Sequence, residues 1–143
     1  MLLFKKKFLE QIRRGEKTQT IRLWDRRRMK SGQRSYVPGI GYIAIVSVEP
    51  VELSGLTDDD AAFDGFSSAE VLREEIYTLY TDEIREKCTP FRVRFSVYPP
   101  EKQQEITDDR KRRKQQNLQQ QNKDVHQTEF VSQTLEKLKR MSR

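Results

Sequence analysis

Hydrophobic residues recur in the first part of the chain with the period of a helix. Phe4, Phe8 and Ile12 are spaced four residues apart, which places their side chains on one helical face. Gly15 follows directly, and glycine is the residue that most often ends a helix. The pattern therefore predicts a helix near residues 5–14 that ends at Gly15.

A second helix is predicted after an acidic stretch. Residues 57–66 are rich in aspartate and are interpreted as an acidic loop. Ser67 and Glu70 have the spacing of a capping box, which marks a helix start. The apolar face of this helix runs to about residue 80 and consists of Leu72, Ile76, Leu79 and Tyr80.

Four other segments have the composition and alternation of strands. Residues 18–24 and 34–37 are good strand formers, and the second is closed by Pro-Gly. Residues 41–48 are apolar on both faces, which predicts a central strand. Residues 91–97 alternate strictly, with phenylalanine and valine inside and arginine outside. Strands and helices that do not alternate regularly indicate the α+β class, with a partly open barrel.

The pattern of a packed domain ends at Pro99-Pro100. The following residues are charged and glutamine-rich, so they bury too little apolar surface to offset their ordering entropy. We interpret residues 1–98 as the domain and 99–143 as a low-complexity tail, disordered or partly helical. One apolar stripe near its end could dock on a protein partner, and it consists of Val131, Leu135 and Leu138.

Charge is distributed unevenly along the chain. Residues 1–34 hold twelve Lys and Arg against three acidic residues, whereas residues 35–100 hold five against twelve. A basic first quarter produces a positive field that concentrates phosphates. The alternative is a solvated basic face whose charges pair with the acidic middle of the chain.

Several classes of protein are disfavoured by the composition. A single cysteine, Cys88, rules out an internal disulfide framework and a cysteine-built zinc site. A single histidine, His126, argues against a histidine metal site or a Ser-His-Asp triad. No apolar run approaches the about 20 residues of a membrane span, and the N-terminus lacks the order of a secretory signal. We therefore expect a cytoplasmic protein without cofactor or metal.

Residues 15–22 resemble a known signature. Gly15-Glu16-Lys17-Thr18-Gln19-Thr20-Ile21-Arg22 is similar to the G-x-K-x-x-T-x-R motif of ASCH domains. Residues 31–34, 56–68 and 91–95 resemble three further blocks of that family, in the same order, so the likeness covers about residues 1–98. It implies a PUA-like fold, a small β-barrel with flanking helices. It also implies that the signature loop and the acidic block meet at one cleft, and that the protein has an association with RNA.

The leading prediction is a module that binds RNA or a nucleotide through a basic cleft around this motif. An arginine offers a planar fork to phosphate, a lysine a point charge, and hydroxyls further donors. Trp24 and Tyr42 are candidate platforms for base stacking, and Arg92 and Arg94 could extend the basic surface. The candidate binding residues are Lys17, Thr18, Thr20, Arg22, Trp24, Arg26, Arg27, Arg28 and Arg34.

The alternative is an amidohydrolase that deacetylates acetylated cytidine, as the resemblance implies for some small bacterial members. Thr20 would be the nucleophile, and Lys17 the base if burial or the nearby Arg22 kept it neutral. Asp64 would be the supporting carboxylate, where those members carry a glutamate. Other carboxylates lie nearby at residues 58–60.

Three further interpretations stay open. Lys17 and Asp64 could simply form an ion pair that holds the loop onto the barrel. A metal-free nuclease and an adaptor that acts through its tail are the remaining alternatives. The ligand and the oligomeric state are left open by the sequence.

Overall fold

The computed structural model describes residues 1–142, and the chain separates into two units. The first unit is Met1–Pro99 and the second begins at Pro100. The second unit contains one long helix, α5 (Pro100–Met141), whose residues 110–141 are exposed. Within residues 1–142, no helix combines the length and hydrophobicity that crossing a bilayer requires.

The first unit is built on an antiparallel sheet of four strands. Its order is β1-β4-β3-β2, so β3 and β4 are central and β1 and β2 lie at the edges. The predicted central position of the third strand is confirmed. The strands are β1 (Gln19–Trp24), β2 (Arg34–Val37), β3 (Gly41–Pro50) and β4 (Thr89–Val97).

Four short helices accompany the sheet. The first, α1 (Leu9–Arg13), follows a 3₁₀ turn and ends before Gly15, which has a φ of 75°. The predicted first helix is thus confirmed, and the left-handed glycine is the physical reason for its end. The other three are α2 (Asp58–Asp64), α3 (Ala69–Leu79) and α4 (Asp82–Lys87). The α+β class is confirmed as an open sheet with helices, whereas the barrel remains a prediction.

The prediction of an acidic loop over residues 57–66 is wrong, because most of this segment forms α2. Thr57 and Asp60 make a reciprocal capping box at its start, and Gly65 ends it with a φ of 88°. Aspartates in the first turn also favour the helix through its dipole. The predicted cap of α3 is displaced by one residue, since Ser68 rather than Ser67 accepts a hydrogen bond from Val71.

The two faces of the third strand, both apolar in the sequence, differ in burial. The pairing of β3 with β4 shifts register between Ile45 and Ser47, at a β-bulge. The shift buries Val48 on the same side as Ile45 and leaves Val46 54 % exposed. The extra residue therefore brings Val48 to the interior side, whereas Val46 lies on the opposite, exposed face.

Two hydrophobic clusters fill the first unit. The larger joins strands β2, β3 and β4 to the N-terminal segment and α1, and its buried members are Leu2, Ile12, Val37, Ile43, Ile45, Val48, Phe91, Val93 and Phe95. The smaller packs β1 against α2 and α3, and its buried members are Ile21, Leu23, Leu56, Ala61, Leu72 and Ile76. Alternate residues of β1 thus face different surroundings, which sets the environment of the motif.

Candidate functional site

Lys17 and Asp64, 47 residues apart in the sequence, meet inside the first unit. Their side chains are each only 3 % exposed. The Lys17 ammonium donates to Asp64 Oδ1 and, at 2.5 Å, to the Asp64 carbonyl oxygen. Among residues 1–142, Asp64 Oδ2 is buried and has no hydrogen-bond partner.

Local backbone structure fixes both members of this pair. The amides of Glu16 and Lys17 donate to the carbonyl of Gln11, at 2.9 and 3.1 Å, so the chain folds back over the end of α1. The amide of Thr18 then donates to the carbonyl oxygen of Phe63 at 2.8 Å, and this bond joins the motif to the last turn of α2. Asp64 is the last residue of that helix.

Three phenylalanines surround the Lys17 ammonium and form an aromatic cage, defined as Phe4, Phe8 and Phe66. Their ring centroids lie 5.9, 4.6 and 5.5 Å from Nζ, respectively. Ring faces at this distance attract a cation. The cage also removes water, so a charge inside it is poorly solvated.

Burial shifts the two pKa values toward the neutral forms. Desolvation lowers the pKa of Lys17, against the attraction of Asp64, and the charge of Arg22 lowers it further. Desolvation also raises the pKa of Asp64, although Lys17 and Arg22 oppose the shift. The site thus favours a neutral amine beside a carboxylic acid more than water does.

Thr20 and Arg22 lie on the same face of β1, opposite Val93 and Phe91 of β4. Arg22 Nε donates to the buried Thr20 hydroxyl at 3.1 Å. Arg22 also donates to the Leu3 carbonyl at 2.5 Å, and its guanidinium lies 4.8 Å from the Phe4 ring. These contacts hold Arg22 in one place beside the threonine.

A cavity of about 50 Å³ brings together the polar groups of the motif and the acidic block. Lys17, Thr20 and Asp64 line it beside the aromatic cage. Glu75 of α3 closes another side and binds Lys5 and Lys7 at 3.2 and 3.4 Å. We call this space the lysine cavity.

Arg22 does not line the lysine cavity but a separate, larger space of about 350 Å³, which we call the basic cleft. The basic cleft has a guanidinium-rich wall and a partly buried indole. Ser35 lines it as well, and within residues 1–142 its hydroxyl is buried without a hydrogen-bond partner. Its principal polar and aromatic lining residues are Arg22, Trp24, Arg28, Gln33, Arg34 and Ser35.

The remaining predicted binding residues occupy different positions. Arg27 donates to the Val48 carbonyl and lies 5.5 Å from the Phe91 ring, so it packs on the sheet. Arg26 is exposed, and its amide donates to Asp25. The Thr18 backbone links two elements, because its carbonyl accepts from Phe95. None of these three residues lines the basic cleft or the lysine cavity.

The two candidate stacking platforms also differ. Trp24 packs on Phe91, with ring centroids 5.6 Å apart, and keeps part of its surface toward the basic cleft. Tyr42 contacts Tyr36 at 5.2 Å between centroids, and Arg34 lies 6.0 Å from its ring. The structure therefore places Trp24 in the cleft wall, whereas Tyr42 supports Arg34.

The expectation that Arg92 lies on an outer polar face is wrong, because α2 covers that face of the sheet. Arg92 Nε lies 2.9 Å from Asp60 Oδ1, and Gln19 also donates to this carboxylate at 3.3 Å. Burial would raise the pKa of Asp60, but hydrogen bonds from Thr57 and Arg92 hold it below the ordinary value. Asp60 is thus committed to the helix cap and to this ion pair.

Sequence reasoning missed the aromatic cage. The spacing of Phe4 and Phe8 indicated a helix face, and Phe66 was part of a loop block, so nothing in the pattern related them to Lys17. Glu75 was missed for the same reason. Among residues 1–142, no group of three or more His, Cys, Asp or Glu is placed to hold a metal ion.

The fold is similar to that in the crystal structure of hypothetical protein PH0355, with a TM-score of 0.58. The two sequences are 17 % identical, and the alignment covers 67 % of this chain and 95 % of that chain. At this identity the likeness concerns the fold alone. No family model matches the chain, and no curated protein matches it.

Proposed function

We propose that this protein binds RNA or a nucleotide through the basic cleft. The observation that carries the proposal is that Arg22, Arg28 and Arg34 line the same cleft. Trp24 lies beside them, and the cleft has a volume of about 350 Å³. A guanidinium group can donate two parallel hydrogen bonds to the oxygens of one phosphate, and an indole ring can stack on an unpaired base. The resemblance of residues 15–22 to the ASCH signature supports the same class of ligand.

Two details of the cleft add support. Arg22 is held by Thr20 and Leu3, so it loses little side-chain freedom when it contacts a ligand. Ser35 lines the same cleft, and its hydroxyl, which has no partner among residues 1–142, would bond to that ligand by turning outward. A cleft with one fixed guanidinium, two exposed ones and that unpaired hydroxyl is suited to a phosphorylated, hydrogen-bonding molecule.

The test compares RNA binding by the parent protein and by Arg28→Gln/Arg34→Gln, in which Arg22 is left to support Thr20. We expect the double variant to bind a fluorescein-labelled 10-nucleotide single-stranded RNA about tenfold more weakly, a loss of about 1.4 kcal/mol. The slope of log K against log salt should become shallower by about 1.4, at about 0.7 for each lost phosphate contact. Fluorescence anisotropy at several salt concentrations measures both quantities.

A matched control removes two cations elsewhere. Lys6→Gln/Arg14→Gln has the same change in net charge, and neither residue lines the basic cleft. We expect this control to change affinity by less than about threefold, because distant exposed charges are screened. Equal effects of the two double variants would reject the cleft and leave only a general attraction of the basic chain for RNA.

We propose as a second candidate the deacetylation of acetylated cytidine in the lysine cavity. The observation that favours it is that Lys17, Thr20 and Asp64 line one small cavity. Thr20 would attack the acetyl carbonyl and pass its proton to neutral Lys17, whose pKa is lowered by burial. The C–N bond would then break as Lys17 returns that proton to the departing cytidine amine, and water would hydrolyse the acetyl-threonine ester to release acetate. Asp64 would orient the Lys17 amine, and its unpartnered Oδ2 could accept from the substrate.

This candidate is tested by acetate release from acetylated cytidine. We expect Lys17→Met and Thr20→Val, both close in shape to the parent side chains, to lose at least about a hundredfold in kcat/KM. Thr18→Val is the control, since Thr18 does not line the cavity, and it should retain activity. Absence of acetate release by the parent and by Asp64→Glu would reject this reaction and leave the binding proposal unaffected.

A further inference from the structure

Five consecutive basic residues, Arg110–Lys114, lie within α5 and form what we call the basic belt. Each of the five is exposed. Successive residues of a helix are rotated by about 100°, so five of them point in all directions around the axis. The basic belt therefore surrounds the helix over an axial rise of about 6 Å, rather than forming a stripe on one side.

Acidic residues flank the basic belt on its N-terminal side but not on its C-terminal side. Asp109 precedes it and pairs with Arg112, whereas no acidic residue follows until Asp124. The intervening turns carry side-chain amides, and we call residues 115–122 the amide segment. Its amide-bearing members are Gln115, Gln116, Asn117, Gln119, Gln120, Gln121 and Asn122.

The composition of residues 110–122 selects among polyanionic partners. An amphipathic helix on a membrane surface needs an apolar face, and this segment contains a single hydrophobic residue, Leu118. Protein interfaces depend on buried aromatic and aliphatic anchors, which the segment lacks as well. Cations on every side of a helix can contact phosphates at the same time only if the phosphates also lie on more than one side of that helix.

We infer that this part of α5 binds in the major groove of duplex DNA. A helix with its side chains is about 10–12 Å wide, and the groove is about 12 Å wide with a phosphate backbone along each rim. The basic belt would contact phosphates of both strands. The amide segment would face base edges, where Asn and Gln pair with adenine. The major groove of duplex RNA is too narrow to admit such a helix.

The inference does not depend on the basic cleft, which belongs to the first unit. The experiment uses the full chain and measures its binding to a labelled 20-base-pair DNA duplex by fluorescence anisotropy. Parallel titrations use an RNA duplex and a single-stranded RNA of the same length. Five phosphate contacts predict a slope of log K against log salt of about −4.5 for duplex DNA, at about −0.9 for each contact.

The test variant replaces all five residues of the basic belt with glutamine, which has a similar helix propensity. A control on the same helix replaces the scattered cations Lys123, Lys137, Lys139 and Arg140 with glutamine. We expect the belt variant to lose about a hundredfold or more in affinity for duplex DNA and most of the salt slope. The control should lose less than about tenfold, because its cations are interspersed with acidic residues.

Three outcomes would overturn the inference. They are equal losses in the belt variant and its control, tighter binding of the cleft variant Arg28→Gln/Arg34→Gln to either RNA than to duplex DNA, and a parent slope near zero. Circular dichroism reports whether the belt variant keeps its helix, and the parent slope decides the question if it does not. The cleft variant Arg28→Gln/Arg34→Gln should bind duplex DNA like the parent, so failure of the cleft and failure of the belt are distinguishable.

Discussion

Lys17 is the residue on which the second candidate function, deacetylation in the lysine cavity, depends. Its ammonium is enclosed by Asp64 and the aromatic cage and is almost removed from water. Desolvation penalises both charges, while their attraction and the ring faces offset part of that cost. Such a pair adds little net stability compared with apolar side chains, but losing one member leaves the other buried and unpaired.

We therefore expect Lys17→Met to lower the free energy of unfolding by about 3 kcal/mol at pH 7. The double variant Lys17→Met/Asp64→Leu should recover most of this loss, because the unpaired carboxylate is removed together with its partner. Urea denaturation followed by circular dichroism measures both values. A double variant that is less stable than Lys17→Met would contradict this account and make Asp64 a stabilising group by itself.

The destabilisation in Lys17→Met should depend on pH in a defined direction. Burial raises the pKa of Asp64 above 3.8 already in the parent, and loss of the cation raises it further. A group with a raised folded-state pKa contributes stability below its unfolded pKa, and this contribution is lost as pH rises through the folded value. Relative to the parent, Lys17→Met should thus become less destabilised as pH falls from 7 toward 3.8. Urea denaturation at several pH values measures this difference, and a deficit that is constant with pH would contradict the prediction.

At the scale of elements, α2 places the carboxylates of the site. The capping box at Thr57 begins this seven-residue helix, and Gly65, in the left-handed conformation, ends it. Near the start of the helix, Asp60 binds Arg92 of the sheet, and at its end Asp64 binds Lys17. The two are four residues apart, so they lie on one side of the helix. One short helix therefore supplies both an ion pair for the fold and a carboxylate for the site.

Thr57→Ala should lower the free energy of unfolding by about 1 kcal/mol. The Thr57 hydroxyl accepts a hydrogen bond from the Asp60 amide, and the Thr57 amide donates to the Asp60 carboxylate in return. Thr78→Ala on α3 is the control. The Thr78 hydroxyl donates to the Glu74 carbonyl within its own helix, an arrangement that does not stabilise a helix. Thermal unfolding compares the two, and equal shifts in Tm would argue against the capping box as the cause.

At the scale of the whole molecule, ion pairs connect segments that are distant in sequence. Glu75 of α3 binds Lys5 and Lys7, and Asp60 binds Arg92 of β4. Although burial opposes it, these partners hold the pKa of Glu75 below 4.5, and Arg92 with Thr57 holds that of Asp60 below 3.8. A depressed folded-state pKa contributes stability above the unfolded value, which is lost as pH falls through the folded one.

The protein should accordingly lose stability on acidification below about pH 4.5, where these carboxylates become protonated. Glu75→Gln should show a smaller loss of Tm between pH 5 and pH 3, because it no longer binds a proton in that range. Differential scanning calorimetry measures this difference. Glu129→Gln, an exposed change on α5, is the control and should leave the pH dependence unchanged.

Local pattern was sufficient for several elements. The end of α1 at Gly15 and the alternation of β4 depend on residues within one segment, and the sequence predicted both. The same reasoning failed at α2, where aspartates typical of a loop instead cap and begin a helix. It could not place Val48, because a bulge that depends on the partner strand turns this residue to the interior side.

The sequence by itself determined the charged motif, the four strands, helices α1 and α3, and the uneven distribution of charge, since these are properties of neighbouring residues. Only the tertiary structure decided that Lys17 is buried against Asp64, and that Arg22, Arg28 and Arg34 share one cleft while Arg92 is bound to Asp60. The physical reason is that burial, and with it the cost of a charge and the direction of its pKa shift, depends on which distant segments pack around a side chain.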